Sequence, residues 1–215
     1  MELRGKIDRI DQLPTGGAAV IDYRLRAARL NPAEAFHGLA LQLIANLLVL
    51  EALDGSPTPA AALCVQLLRD IRPALPEDVP DPDDPLFALQ SQPRGVFDFR
   101  FLKDFDSEAG EGWSRILKAH VKKDGTPGNP ESTDSCDSRQ FAALLRHTRK
   151  RIGELTDRII AGQIDIRPYR LGDQTPCAHC EFRALCRFEP APGGYDDLEP
   201  MKRQDLLRLA MEENP

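Results

Sequence analysis

Alternation of apolar and polar residues near the N-terminus predicts a β-hairpin. Leu3–Leu13 and Ala18–Leu25 each have the pattern of a short strand, and the Pro-Thr-Gly-Gly segment between them is typical of a turn. Ala60–Leu68 and Val96–Phe101 show further strand patterns. We therefore expect these strands to form a sheet that opens with the hairpin.

The apolar pattern becomes helical after the hairpin. Asn31 can serve as the N-cap of a helix that we predict over Pro32–Asp54, and Gly55 can close it. The middle of this segment is apolar nearly all round, as expected for a helix that lies between a sheet and another layer. Gln42 and Asn46 lie one turn apart and interrupt the apolar surface on one face.

A second helix is predicted from Arg139 onward. Asp137 and Gln140 form a capping pair at its start, and Gly162 marks its exit. Its apolar residues recur at helical spacing: Phe141, Leu144, Leu145, Ile152, Leu155 and Ile159. We expect an extended stretch, Asp165–Leu171, to follow this helix.

Length and composition favour a single α/β domain. The chain has 215 residues, 41% of them hydrophobic, which suffices for one sizeable core but not for two independent domains. We assign residues 1–188 to this domain, with an irregular Pro-rich and acidic insertion at about 72–95 and a charged tail at 189–215. Lys122–Asp137, which includes Cys136, is predicted to be a loop.

The sequence lacks targeting and membrane signals. Its longest apolar run, Gly38–Leu50, is shorter than the roughly 20 residues of a membrane span, and the N-terminus has no hydrophobic signal region. We therefore expect a cytoplasmic protein that makes no contact with a membrane.

The net charge of −6 provides no general attraction to nucleic acid, so contact with DNA needs a local basic patch or metal ions. The second helix carries a basic run that provides the best candidates: Arg146, His147, Arg149, Lys150 and Arg151. The alternative is a solvated helix face balanced by Glu154 and Asp157.

Asp8, Asp22 and Arg24 form a candidate metal site. Side chains alternate along a strand, so Asp22 and Arg24 project from one face, and Asp8 can meet them from the neighbouring strand if the register allows. Two carboxylates with a few waters can hold Mg²⁺ or Mn²⁺ against a phosphate, where the ion neutralises charge and generates hydroxide. The alternative is a set of exposed hairpin charges, and spacing alone leaves both interpretations open.

Three short motifs together resemble the RecB-like PD-(D/E)XK nuclease family. They are Gly5-Lys6-Ile7-Asp8-Arg9-Ile10-Asp11, Ile21-Asp22-Tyr23-Arg24 and Gly38-Leu39-Ala40-Leu41-Gln42-Leu43, in the order and with the separations of that family. The resemblance implies a restriction-endonuclease-like core, in which helices flank a central mixed sheet. It also implies that Asp8, Asp22 and the carbonyl of Tyr23 bind the metal. Arg24 takes the place of the family's catalytic lysine, and Gln42 orients that residue or contacts the substrate.

The sequence departs from the family pattern at two positions. Arg24 replaces the lysine; arginine keeps its charge but does not deprotonate in proteins, so electrostatic stabilisation is retained while a role in proton handling is lost. Asn46 stands where a tyrosine is usual. The helix that normally precedes the first strand is missing, so we expect the chain to be a fragment of a longer protein.

Three of the five cysteines lie in one short segment, Cys177-x2-Cys180-x5-Cys186, close enough to wrap a single metal centre. Such clustering fits a metal site better than a disulfide framework. Spacing alone leaves zinc and an iron-sulfur cluster open, with a fourth zinc ligand from His179, Cys136 or Cys64.

The same segment resembles the end of the nuclease domain in AddB-type subunits of bacterial helicase-nucleases, where this spacing follows a stretch like Ala161–Arg170. The resemblance implies a 4Fe-4S cluster with a structural role. In that family the fourth cysteine lies upstream of the first strand. The cluster is therefore expected to be incomplete in this chain unless Cys136 replaces that ligand.

Three hypotheses about function remain. The first is a Mg²⁺-dependent exonuclease domain that acts on DNA in double-strand break processing and recombinational repair, with a partner subunit of the AddA type. The second is a catalytically inactive DNA-binding or scaffolding module of such a complex. Arg24 and Asn46 favour the second hypothesis, whereas Asp8, Asp22 and Gln42 favour the first. The third is a zinc-stabilised interaction domain unrelated to nucleases.

Overall fold

The computed structural model describes residues 4–25, 29–51, 57–68, 92–189 and 194–213. In chain order the elements are β1 (Arg9–Gln12), β2 (Gly17–Arg24), α1 (Pro32–His37), α2 (Gln42–Leu50), β3 (Thr58–Gln66), β4 (Arg94–Asp98), a 3-10 turn (Phe99–Phe101), α3 (Leu102–Phe105), β5 (Gly112–Trp113), β6 (His120–Val121), β7 (Ser135–Cys136), α4 (Ser138–Ile160), β8 (Tyr169–Leu171), a 3-10 turn (Pro176–His179), α5 (Arg183–Cys186), β9 (Asp196–Leu198) and α6 (Arg203–Glu212).

A mixed sheet of five strands, in the order β1-β2-β3-β4-β7, forms the centre of the fold. β1 and β2 pair antiparallel, which confirms the predicted hairpin. β2 runs parallel to β3, β3 antiparallel to β4, and β4 parallel to β7. The central mixed sheet and its flanking helices confirm the predicted α/β class and agree with a restriction-endonuclease-like core.

Alternation along the strands gives the sheet two buried faces. Val20, Ala62 and Val96 pack on one face against residues of α2, α4 and α6. Neighbouring strand positions, such as Ile21 and Leu63, pack on the other face. The sheet is therefore covered on both sides, as its short, almost continuously apolar strands require.

Gly95 allows β4 to lie close to β3. A Cβ atom at this position would lie 2.0 Å from the carbonyl oxygen of Ala62, so no side chain fits without moving the backbone. Position 95 therefore requires glycine for the strands to pair as they do.

The single helix predicted over Pro32–Asp54 is wrong, because two helices occupy that segment. α1 ends at His37 and is capped by Gly38, whose φ of 84° is left-handed. The N–H groups of Gly38 and of the following residue bond back to carbonyls of α1. α2 then begins at Gln42. The predicted end of the helix at Asp54 and Gly55 lies outside the described residues.

The second predicted helix is confirmed. α4 begins after Asp137, and a capping box joins Asp137 and Gln140 in the way the sequence suggests. Two neighbouring predictions need correction. The strand predicted over Val96–Phe101 ends at Asp98, and Cys136 lies in the edge strand β7 rather than in a loop. β4 also begins inside the predicted insertion at 72–95, of which residues 72–91 lie outside the described part.

The charged tail predicted at 189–215 is wrong for the residues of α6. Leu206, Leu207 and Ala210 lie on one side of this helix and are buried in the core, where α6 packs against α4. Apart from the buried Arg203, the charged residues of α6 lie away from this side, and their number hid the apolar stripe in the sequence. The assignment of 1–188 to the nuclease-like domain remains a prediction, and the core extends beyond it.

No helix within the described residues has the length and apolarity required to cross a bilayer.

Candidate functional site

The register of the hairpin places Asp8 opposite Asp22. Arg9 pairs with Ile21, so the preceding residue, Asp8, lies across from Asp22 at the end of the sheet. Oδ2 of Asp8 accepts a hydrogen bond of 3.1 Å from the backbone N–H of Tyr23. The two carboxyl groups predicted to converge are therefore neighbours on one face of the sheet.

The local hydrogen bonds favour the ionised form of Asp8. The amide of Tyr23 is the main cause that lowers the pKa of Asp8, with further lowering from the Asp22 carboxyl and from the charges of Lys6 and Arg24. A carboxyl with a lowered pKa remains an anion at neutral pH. Asp8 is thus suited to bind a cation.

Arg24 connects Asp22 to α2. Its Nε donates to Oδ2 of Asp22 at 2.5 Å, and its NH2 group donates to Oε1 of Gln42 at 3.0 Å. Asp22 is 7% exposed, whereas Arg24 and Gln42 lie nearer the surface. The sheet and the first residue of α2 together fix the guanidinium beside the buried carboxylate.

Two further residues, which the sequence analysis did not assign to this site, lie on the next two strands in register with Asp22. Cys64 of β3 pairs with Asp22, and Arg94 of β4 pairs with Cys64, so their side chains share a face with Asp8. We call Asp8, Asp22, Cys64 and Arg94 the polar row. Cys64 lies in the strand predicted over Ala60–Leu68, but Arg94 lies in the insertion predicted at 72–95. No local pattern shows which strands lie beside β3, so the sequence could not place either residue next to Asp22.

Cys64 is a buried neighbour of the acidic pair. Burial is the main cause that raises the pKa of the Cys64 thiol; the charge of Asp22 raises it further, and Arg24 opposes this effect. Cys64 belongs to the core cluster of the sheet and does not line the cavity that Cys177, Cys180 and Cys186 share. The structure thus gives no support to Cys64 as the fourth member of a cysteine site.

The cysteines near the C-terminus share one pocket. Cys177, Cys180 and Cys186 line a cavity of about 270 Å³ together with residues of the preceding extended stretch. Among the described residues, however, no group of three or more His, Cys, Asp or Glu side chains lies close enough to hold a metal ion. The three thiols are therefore near one another but do not form a closed set of ligands.

Cys136 lies in the core and not in this pocket. Its thiol is 2% exposed and contacts the carbonyl oxygen of Phe97 at 3.6 Å. Burial raises the pKa of Cys136 to about 12. Its place in the core, away from the cavity of the other three cysteines, argues against Cys136 as the replacement ligand.

The basic run on α4 is largely engaged within the chain. Arg149 pairs with Glu51, and Lys150 lies 3.5 Å from Glu213. Arg151 pairs with Glu154 at 2.7 Å and also donates to the carbonyl of Phe36. This arrangement resembles the solvated, balanced face considered above, and a DNA-binding role for Arg146, Arg149, Lys150 and Arg151 remains a prediction.

His147 of the same run is fully buried. Its Nδ1 lies 2.9 Å from a carboxylate oxygen of Glu213, and its Nε2 lies 3.0 Å from the carbonyl oxygen of Phe36. The ring also stacks on Phe36. His147 therefore connects α1, α4 and the end of α6, and it belongs to the core rather than to a basic surface.

Comparison with known proteins identifies the family of the chain. The family model of the PD-(D/E)XK nuclease superfamily matches residues 1–187. The chain is 36% identical over 95% of its length to the B-type subunit of the ATP-dependent helicase/deoxyribonuclease of Symbiobacterium thermophilum, covering 18% of that protein. It is 30% and 27% identical, over 99% of its length, to the proteins of the same name from Geobacillus kaustophilus and Bacillus subtilis, covering 19% of each.

The chain thus spans about a fifth of the length of these relatives. The family match covers both the hairpin that carries Asp8 and Asp22 and the segment with the three cysteines. This chain belongs to the PD-(D/E)XK nuclease superfamily.

Proposed function

We propose that this chain is the nuclease module of an ATP-dependent helicase-nuclease and hydrolyses phosphodiester bonds of DNA with a divalent metal ion. The observation that carries the proposal is the pairing of Asp8 with Asp22 at one sheet end, with Arg24 held beside them by Gln42. The names of the relatives, which combine helicase and deoxyribonuclease, support the setting.

The donors at this site fit Mg²⁺ or Mn²⁺. Mg²⁺ is commonly held by one or two carboxylates and keeps several waters, and Asp8 and Asp22 offer two adjacent carboxylates. The carbonyl of Tyr23, between Asp22 and Arg24 in sequence, is the further ligand that family membership suggests. When bound, the ion supplies charge neutralisation at the phosphate and lowers the pKa of a coordinated water.

Arg24 contributes electrostatically. Its guanidinium stays protonated and can donate to a phosphate oxygen as charge builds up in the transition state. Gln42 positions it, because the amide oxygen accepts from one guanidinium nitrogen while Asp22 accepts from another. Removal of the proton from water then falls to a group other than Arg24.

The cysteine segment, residues 176–188, is proposed to hold three ligands of a 4Fe-4S cluster with a structural role. The shared pocket of Cys177, Cys180 and Cys186 supports three ligands. The fourth ligand is proposed to come from a part of the protein outside the described residues, as the family resemblance implies, because Cys64 and Cys136 are buried in the sheet. In the full-length protein, the Cys180→Ser variant should lose iron and visible absorbance, and a wild type that contains zinc but no iron would contradict this assignment.

The parent protein is proposed to act as an exonuclease in double-strand break processing and recombinational repair. The relatives are each named as one lettered subunit of an enzyme, which supports a second subunit, and a helicase-nuclease of the AddA type is our candidate. Work on chromosomal DNA in bacteria would place the protein in the cytoplasm.

The decisive experiment measures DNA cleavage by the full-length protein with Mg²⁺ or Mn²⁺. Asp22→Ala should lower the rate roughly a thousandfold, because a catalytic metal supplies several kcal/mol of stabilisation to the transition state. Asp11→Ala is the matched control, since Asp11 lies on the same hairpin but pairs with Ala19 of the opposite face. It should leave the rate unchanged.

Arg24→Lys distinguishes an arginine-adapted site from a decayed one. Retained activity in both forms supports the proposal, and activity only in the Arg24→Lys variant identifies a site that lost catalysis through this residue. If neither form cleaves DNA, the enzyme proposal is wrong, and an inactive DNA-binding module replaces it.

A further inference from the structure

A second cavity lies at the same end of the sheet as the polar row. It has a volume of about 310 Å³ and is lined by the starts of α1, β4 and α6 and by the loop before β7. Four of its lining side chains are cationic: Arg29, Arg94, Lys202 and Arg203. We call this cavity the basic pocket.

The strand pairing fixes where the basic pocket lies relative to Asp22. Arg94 pairs with Cys64, which in turn pairs with Asp22, so Arg94 is two strands away on the same face. Neighbouring strands are about 4.8 Å apart, which puts the backbone of Arg94 roughly 10 Å from that of Asp22. This distance suits a phosphate one or two nucleotides along a strand from one bound at Asp8 and Asp22.

Two of the four cations are held rigidly at the base of the pocket. Arg94 donates to both carboxylate oxygens of Asp134, at 2.7 and 3.0 Å. Arg203 donates to the carbonyls of Gly95 and Asp134, at 3.1 and 2.6 Å. Its Nε is buried without a hydrogen-bond partner among the described residues, and its charge shares the Asp134 carboxylate, 3.9 Å away, with Arg94.

The other two cations are exposed at the rim. Arg29 and Lys202 form no ion pair with any residue that the structure describes. The two acids of the lining are already engaged: Asp134 with Arg94, and Glu131 with the backbone N–H of Gln204 at 2.6 Å. Among the described lining residues, the basic pocket therefore carries more positive than negative charge, and its two outer cations have no acidic partner there.

We propose that the basic pocket binds a backbone phosphate of the DNA strand next to the phosphate that is cleaved. A phosphate is the anion that guanidinium and ammonium groups bind well, and Leu30, Pro32 and Met201 provide apolar walls for the adjoining sugar or base. The proposal rests on the proposed nuclease function, because that function places a DNA strand at the polar row.

Binding of a fluorescent single-stranded oligodeoxynucleotide to the full-length protein, without divalent ions, tests the interaction itself. The Arg29→Ala/Lys202→Ala variant should bind roughly tenfold more weakly at low salt. The slope of log Kd against log salt should fall by about 0.7 for each phosphate that the variant no longer neutralises. The control is Lys103→Ala/Arg115→Ala, which removes two exposed cations beside the other face of the sheet. An unchanged slope in the first variant, or an equal change in the control, overturns the proposal.

A neutral methylphosphonate linkage tests the position of the bound phosphate. Placed one or two nucleotides from the cleaved bond, it should slow cleavage by the wild type several-fold and should have no further effect in the Arg29→Ala/Lys202→Ala variant. If the neutral linkage slows cleavage by the wild type and by the variant to the same extent, the basic pocket does not bind that phosphate. If the wild type does not cleave DNA, the nuclease proposal fails, and the salt slope alone decides whether the basic pocket binds phosphate.

Discussion

The sheet end that carries Asp8 and Asp22 and the cysteine segment, residues 176–188, differ in how their side chains are fixed. At the sheet end, strand register and hydrogen bonds hold each polar group, and Asp22 is 7% exposed. In the cysteine segment, Phe182 and Leu185 are 66% and 82% exposed, and Cys180 lies at the surface. The first region is organised by the fold alone, whereas the second buries few of its own apolar groups.

This difference separates two ways of building a site. A strand pair positions side chains as soon as the sheet forms, so the acidic pair requires no ligand to come together. A short segment with little packing has little to hold it unless a metal centre or another surface contributes free energy. We therefore expect the sheet end to be preformed and the cysteine segment to depend on what it binds.

The largest expected contrast is in thiol reactivity. After removal of metal with a chelator, iodoacetamide should modify Cys177, Cys180 and Cys186 of the folded protein rapidly. Cys136 should react at least about a thousandfold more slowly, because burial raises its pKa to about 12 from an ordinary 9.0. Because the folded state favours the neutral thiol, Cys136 contributes fully to the free energy of unfolding below its ordinary pKa. That contribution is lost as the pH rises through about 12. Peptide mass spectrometry measures the rates, and comparable labelling of all four thiols would contradict the contrast.

The next effect concerns the ion pairs behind the sheet end. Asp134→Ala should destabilise the fold by about 3 kcal/mol, because it leaves Arg94 and the buried Arg203 without their carboxylate. Denaturant unfolding measures the change in the free energy of unfolding. The matched variant is Asp134→Asn, which keeps a hydrogen-bond acceptor. A loss of less than about 1 kcal/mol in the alanine variant would show that the pairs contribute little.

A smaller effect is expected when the support of Arg24 is removed. Gln42→Ala should lower kcat roughly tenfold and change KM little, because the guanidinium loses its second partner but stays on Asp22. Gln42→Glu keeps an acceptor oxygen and should restore most of the rate. If Gln42→Ala lowers the stability of the fold and does not lower kcat selectively over KM, Gln42 serves packing alone.

The smallest effect belongs to the cysteine region. Arg170 and Asp197 form an ion pair between β8 and β9, and both side chains are largely exposed. Solvent screens such a pair, so Asp197→Ala should leave the midpoint of thermal unfolding unchanged within error. A clear drop, comparable with that of Asp134→Ala, would remove the distinction between the two regions.

The sequence predicts the α/β class and the pairing of Asp8 with Asp22, but not every element around them. Strand alternation and one hairpin turn suffice to bring Asp8 to Asp22, because both effects are local. The break at Gly38 escaped prediction because the apolar pattern continues through it, and the left-handed turn there depends on a single residue. Cys64 and Arg94 join the row only through pairing between strands that are far apart in the chain, which no local pattern reveals.

The position of α6 has a consequence for how the molecule is made. Leu206, Leu207 and Ala210 complete the core on one face of the sheet, and Arg203 bonds to backbone carbonyls at Gly95 and Asp134. While the chain emerges from the ribosome, α2 and α4 can cover only part of that face until these residues have left the exit tunnel. Part of the sheet therefore stays exposed until α6, more than a hundred residues after β4, has been translated. During this period a chaperone can bind the exposed part.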